Sequence, residues 1–329
     1  MRHRLPALLS AAMLLVLVTA PVQARDPQQS RHEQIVAHWT AARLAAAVPR
    51  DFVYDEARGF VQRAKPDRPP GGGGGGATTT GSSWEGGGTI KEATGKVYFE
   101  MDGGAYVCSG TVATDNVSGR SLVLTAGHCA YDETNGEFAT NWLFIPDFDE
   151  SPTFTCAQTA YGCWTANALV VHSGYATAGG FNTQATLHDF AFAVVGDGGV
   201  SGSAQLDTTV GSFALSIGGF DSVGDQAYAF GYPAAQKYKG NDLTYCAGSI
   251  FEDPYNEELT WGLPCKMTGG SSGGPWLSSF ATSGNGGGLS SLNSYGYSGV
   301  SAMHGPKFNS DTQDVYNAAK TASSNTIVH

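Results

Sequence analysis

Two short stretches hold side chains whose neighbours could make them reactive. Thr268-Gly269-Gly270-Ser271-Ser272-Gly273-Gly274-Pro275-Trp276 sets a serine in a glycine-flanked turn. A serine hydroxyl becomes a nucleophile only when it projects toward a base, with backbone N–H groups near the developing oxyanion. Glycines supply the backbone angles such a turn needs and leave room for substrate. The same composition also makes a plain surface loop, as in Ser283-Gly284-Asn285-Gly286-Gly287-Gly288, so this stretch alone leaves both readings open. In Ser121-Leu122-Val123-Leu124-Thr125-Ala126-Gly127-His128-Cys129 an apolar strand runs into a small-residue turn that ends in histidine and cysteine. His128 could be the base that Ser272 requires.

Taken together, the two stretches resemble the trypsin/chymotrypsin-like serine peptidases. There Thr-Ala-Gly-His-Cys carries the general base, and Gly-Asp-Ser-Gly-Gly-Pro carries the nucleophile. This chain reads Gly270-Ser271-Ser272-Gly273-Gly274-Pro275, with serine in the aspartate's place. The resemblance covers roughly Lys96 to the C-terminus. It implies an all-β fold of two antiparallel Greek-key barrels, with the site between them and a short closing C-terminal helix. A third group must orient the imidazole and stabilise its charged form. Asp189 heads the apolar run Phe190-Ala191-Phe192-Ala193-Val194-Val195, where a carboxylate can be buried, and the family places its acid in this Asp-x-Ala setting. The implied catalytic set is His128, Asp189 and Ser272, with the N–H groups of Gly270 and Ser272 as oxyanion hole. His188 would point to the opposite face by strand alternation, and His172 matches a structural stretch of the family.

The implied activity is that of a secreted serine endopeptidase acting through an acyl-enzyme on protein or peptide substrates. Lys266 and His304 fall near the family's specificity pocket. Their charge and chemistry predict a primary preference other than Arg or Lys, such as an acidic or polar residue. Two alternatives come from other classes. Gly270-Ser271-Ser272-Gly273-Gly274 also fits the nucleophile elbow of serine esterases. That fold needs its acid and histidine after the serine, and here they come first. A catalytically inactive, peptidase-shaped binding protein would be expected to lack part of the set.

The elements that must position these groups are short strands: Lys96–Phe99, Ser121–Leu124, Ala168–Val171, Phe190–Val195 and Gln226–Phe230, punctuated by Gly, Asn, Asp and Ser. One late helix is expected from Asp311 to Thr321, capped by Ser310 or Asp311. All six cysteines lie beyond residue 100, which suits an exported chain. Spacing leaves their pairing open. The family pattern implies Cys108–Cys129; Cys156 and Cys163 can close a local loop, which leaves Cys246–Cys265. No Cys-x-x-Cys pair offers a zinc site. Asp147, Asp149 and Glu150 could hold calcium but read more readily as a solvated loop, and no metal or cofactor is assigned from the sequence.

Ahead of the catalytic region the composition changes twice. Residues 1–24 have a basic start, an apolar run and Val22-Gln23-Ala24, and read as a secretory signal peptide. Residues 25–70 hold eight of the chain's 18 basic residues and read as a propeptide, with one amphipathic helix expected between Arg31 and Ala47. Residues 71–95 read as a Gly-rich linker and activation region, and 96–329 as the peptidase domain. Beyond residue 70, eight basic residues face 23 acidic ones. That sign suits neither nucleic acid nor an anionic membrane, and the expected form is a monomer whose partners are its substrate and its own propeptide. The family's zymogen switch buries a new Ile or Val ammonium against the aspartate before the nucleophile. Ser271 offers no charge there, and a buried ammonium without a counter-ion is costly. The sequence therefore predicts that 25–70 keeps the enzyme latent by covering the cleft or by assisting folding.

Overall fold

The computed structural model describes residues 27–63, 81–149, 155–234 and 238–329. The expected signal peptide, residues 1–24, and the glycine run 71–76 lie outside the described residues, as does Glu150. Strand Thr94–Met101 pairs antiparallel with Gly104–Ala113 and, on its other edge, with Thr140–Pro146. Pairing continues through Trp164–His172 and Ala191–Val195 to Ser121–Thr125. The last strand pairs back onto Gly104–Ala113 through Thr111↔Leu124, Val112↔Val123 and Ala113↔Leu122, which closes a barrel. Closure removes the sheet edges that would otherwise expose backbone donors and acceptors. Leu122, Leu124, Phe144, Phe192 and Val194 are among the buried side chains of this lobe.

The second lobe is built from two further sheets. One orders strands 214–215, 288–292, 275–278, 226–231, 244–249 and 82–83; the other orders 251–252, 260–264, 302–306, 295–297, 51–55 and 59–63. Three disulfides staple the lobes: Cys108–Cys129, Cys156–Cys163 and Cys246–Cys265. Each expected strand lies within an observed one or overlaps it, with boundaries moved by a few residues.

Three elements differ from the expectations. The single helix over 31–47 is two, Pro27–His38 and Ala41–Ala46, because Thr40 turns extended and its side chain caps the second helix at Arg43 N–H. Residues 82–95 are part of the folded body rather than a linker: Ser82–Ser83 pair with Thr244–Tyr245, and helix Thr89–Ala93 buries Ile90 and Ala93 completely. The C-terminal helix spans Ser310–Ala319, and its cap is Asn309, whose side chain accepts from the N–H groups of Asp311 and Thr312.

The N-terminal segment does not stand apart. Val48–Pro49 add in parallel to Tyr106–Val107, and Asp51–Asp55 add in parallel to Tyr295–Tyr297. Gly59–Arg63 then turns back as a hairpin on Asp51–Asp55. A segment of this size makes a poor core alone, and it buries Ile35, Trp39, Leu44 and Phe52 against the larger body.

Candidate active site

His128 sits in a short helical turn, Gly127–Cys129, at the end of the buried strand Ser121–Thr125. The Cys129 disulfide to Cys108 ties that turn to the neighbouring strand. Asp189 immediately precedes Phe190 and strand Ala191–Val195, which pairs with Ser121–Thr125, so the register alone brings acid and base together. Asp189 Oδ1 accepts from the His128 backbone N–H at 2.8 Å, and Oδ2 faces His128 Nδ1 at 2.8 Å. Both side chains are fully buried. A third donor, Ser294 Oγ, reaches Asp189 Oδ2 at 2.5 Å. Three donors on one dry carboxylate fix the imidazole plane and leave Nε2 as the ring atom that can take a proton.

Ser272 lies in a turn braced from several sides. Gly270 has φ +96° and Gly273 has φ +81°, a region that favours glycine. A Cβ on Gly273 would also meet Thr125 Oγ1 at 2.3 Å and Ser109 O at 2.4 Å. Ser109 holds the turn twice, through its N–H to Ser272 O (2.7 Å) and its Oγ to Gly270 O (2.8 Å). Asn293 holds the far end, accepting from Gly273 N–H and donating Nδ2 to Ser271 O. Ser271 occupies the aspartate position with a neutral bond: its Oγ donates to Thr268 O at 2.9 Å. The N–H groups of Gly270 and Ser272 belong to this braced turn.

The candidate nucleophile and the candidate base do not hydrogen-bond to each other here. Ser272 Oγ donates instead to Asp51 Oδ1, 2.9 Å away on the N-terminal segment. Among the described residues, His128 Nε2 has no hydrogen-bond partner. Gly269 makes room for this carboxylate, since a Cβ there would come within 2.7 Å of Asp51 Oδ2. Phe52 follows, stacked on Phe181 with centroids 4.0 Å apart and edge-on to His128 at 5.4 Å. Arg50 precedes, donating to His128 O at 2.6 Å, with its guanidinium 3.3 Å from Glu133 and 3.9 Å from Asp132. His128 and Ser272 are 0% and 3% exposed under this cover.

The remaining candidates fall elsewhere. His188 pairs with Asp311 at 3.0 Å and stacks on His172, whose Nδ1 accepts from Gly174 N–H, so neither belongs to the His128 cluster. His304 is fully buried, stacked on Tyr295, with Nδ1 3.1 Å from Asp253 Oδ2. Burial works to raise the Asp253 carboxyl, but His304 and the Tyr295 hydroxyl outweigh it and hold the group at about 2. Lys266 is half-buried, and its carbonyl accepts from the Tyr238 hydroxyl. Sequence reasoning missed Ser294, Ser109 and Asp51. Each is an ordinary residue in an ordinary setting, and only the pairing of distant strands brings it to the site.

The chain matches no protein-family model and no curated protein. Solved structures do resemble it. Protease Anisep from Arthrobacter nicotinovorans is 38% identical with a TM-score of 0.59, and the match covers 70% of this chain and 96% of that one. The thermostable serine protease AL20 from an extremophilic microorganism is 36% identical at TM-score 0.60, over 71% of this chain and 99% of that one. A Glu endopeptidase shares the fold at 19% identity and TM-score 0.54, over 74% and 97%.

Proposed function

The chain belongs to the chymotrypsin-like serine proteases and is a serine endopeptidase; on that premise we propose that it is made as a secreted precursor whose catalytic set is His128, Asp189 and Ser272. The observation that carries the assignment is the buried His128–Asp189 pair, joined at two atoms of the carboxylate, beside a serine presented by a glycine turn. In the reaction Ser272 Oγ attacks the scissile carbonyl while His128 Nε2 takes its proton. The Nδ1–H bond to Asp189 stabilises the imidazolium, and the N–H groups of Gly270 and Ser272 receive the oxyanion. His128 then returns the proton to the leaving amine, and water repeats the cycle on the acyl-enzyme.

In the precursor, residues 25–70 act as a propeptide that covers the cleft. What supports this is Asp51 on the nucleophile, Arg50 and Phe52 around His128, and two strand additions on either side. A side-chain carboxylate resists attack by serine, so this contact blocks without being consumed. The similar proteases are matched almost whole by 70–71% of this chain, which leaves close to a third of it without a counterpart in them. Ser271's neutral bond to Thr268 O suits activation by unblocking rather than by a buried new amino terminus. Export agrees with the three disulfides, and the enzyme acts as a monomer.

The primary pocket excludes Arg and Lys, because position 266, six residues before Ser272, holds a lysine. Asp253 offers no substitute, since its Oδ2 accepts from the Tyr295 and Tyr297 hydroxyls and faces His304. The test of the whole reading is Ser272→Ala in the full chain. The protein should be secreted and folded, with peptide hydrolysis abolished. Residual hydrolysis at the wild-type rate would remove Ser272 from the reaction.

A further inference from the structure

Beside His128, on the flank where Val48–Pro49 lie along Tyr106–Val107, two carboxylates stand ready-made in the larger body. Asp132 Oδ1 accepts from the N–H groups of Thr134 and Asn135, and Oδ2 accepts from Asn135 Nδ2. Glu133 Oε2 accepts from the Tyr175 hydroxyl at 2.7 Å. None of these partners belongs to the N-terminal segment. Both acids are 4% exposed, and between them sits one cation, the Arg50 guanidinium, itself 4% exposed. It leans on the Phe52 ring and also reaches the His128 carbonyl. The surrounding cleft has a volume of about 390 Å³, lined among others by Phe52, Tyr106, Asp132, Glu133 and Phe181.

Arg50 is the residue next to Asp51, which touches the nucleophile. The backbone around it is strand-paired on either side of Asp51, to Tyr106–Val107 before it and to Tyr295–Tyr297 after it. When the segment leaves, the two carboxylates lose the one cation paired with them among the described residues and face the opened cleft. Their remaining partners are neutral donors, which hold them in place without compensating their charge. A guanidinium suits such a site better than an ammonium, because its planar fork can reach two carboxylates and a carbonyl at once.

We propose that Asp132 and Glu133 form a second specificity site of the mature enzyme, which takes a basic side chain, arginine above lysine, one or two residues from the scissile bond. Arg50 of the precursor fills it. This rests on the reading that residues 25–70 cover the cleft. The site is separate from the primary pocket near Lys266 and His304, and it gives the enzyme a basic preference that the primary pocket does not have.

The experiment uses mature enzyme released from the full chain by processing, and a peptide series in which one residue is walked through three positions on each side of the cleaved bond. At each position kcat/KM is compared for Arg and Gln. The expected result is one position at which the Arg/Gln ratio is on the order of 10 to 100, with Lys in between. In Glu133→Gln and Asp132→Asn that ratio should fall severalfold each, and in the double variant it should approach one. Ratios within one enzyme are insensitive to the fraction folded, and the walk itself needs no substitution. A ratio near one at every position, or a ratio unmoved in the variants, overturns the proposal. The cover reading is checked separately, by comparing how fast a covalent serine probe labels the unprocessed and mature forms. Equal rates would refute the cover, while the Arg/Gln ratios would still decide the subsite.

Discussion

Replacing Asp51 with alanine should partly unlock the precursor. In the covered state Ser272 Oγ is held at 2.9 Å by a carboxylate oxygen. A hydrogen bond to a charged acceptor contributes about 1.5–3 kcal/mol, which converts to roughly 10- to 150-fold in an equilibrium at 1.4 kcal/mol per decade. The lower end applies, because the freed hydroxyl gains a new acceptor in His128 Nε2, which now has none among the described residues. The strand additions at 48–49 and 52–54, the Arg50 contacts and the Phe52–Phe181 stack all remain. The segment should therefore still bind, with its open fraction raised about tenfold. Covalent labelling of Ser272 requires the open state, so the labelling rate of the unprocessed chain reads that fraction directly. Wild type and Asp51→Ala are compared with a fluorophosphonate probe in excess, on full-length protein isolated before processing. A labelling rate unchanged by Asp51→Ala would refute the reasoning, because the nucleophile would then not be held by that carboxylate in solution.

Asp189→Asn should leave the site assembled, through the backbone contact at His128 N–H, while kcat falls by about 10⁴ because the imidazole loses its oriented tautomer and its counter-charge; steady-state kinetics on the mature enzyme checks this. Lys96 sits buried over the rings of Phe148 and Tyr98, and burial lowers its ammonium to about 7. Its folded form sheds a proton that the unfolded chain keeps up to the ordinary lysine range. The cost to stability is therefore absent above that range, grows as pH falls toward 7, and is complete below 7. Lys96→Met should accordingly raise Tm most at pH 6 and least near pH 10, a difference visible in thermal melts across that window.

His128 and Ser272 stand out as candidates because each lies inside a contiguous run whose local chemistry is unusual, a strand end followed by Gly-His-Cys and a turn of four glycines around two serines. Asp189 stands out for a related reason: a carboxylate that leads into an apolar strand must be buried with partners or not at all. The short apolar runs bounded by Gly, Asn, Asp and Ser likewise carry the all-β architecture, since their length and punctuation need no distant information. The shift from basic to acidic composition near residue 70 is the signal on which the sequence sets residues 25–70 apart. Its helix was misjudged because an apolar period does not register the extended turn at Thr40. What the chain could not reveal is every contact that depends on strands meeting far from each other in sequence. Ser294 on Asp189, Ser109 under the serine turn, Asp51 on Ser272 and Arg50 between Asp132 and Glu133 span 82 to 221 positions. None of those residues is chemically unusual by itself. A hydroxyl or carboxylate acquires its role from the one or two atoms placed within 3 Å of it, and that placement is decided by the register of paired strands, which the tertiary fold alone sets.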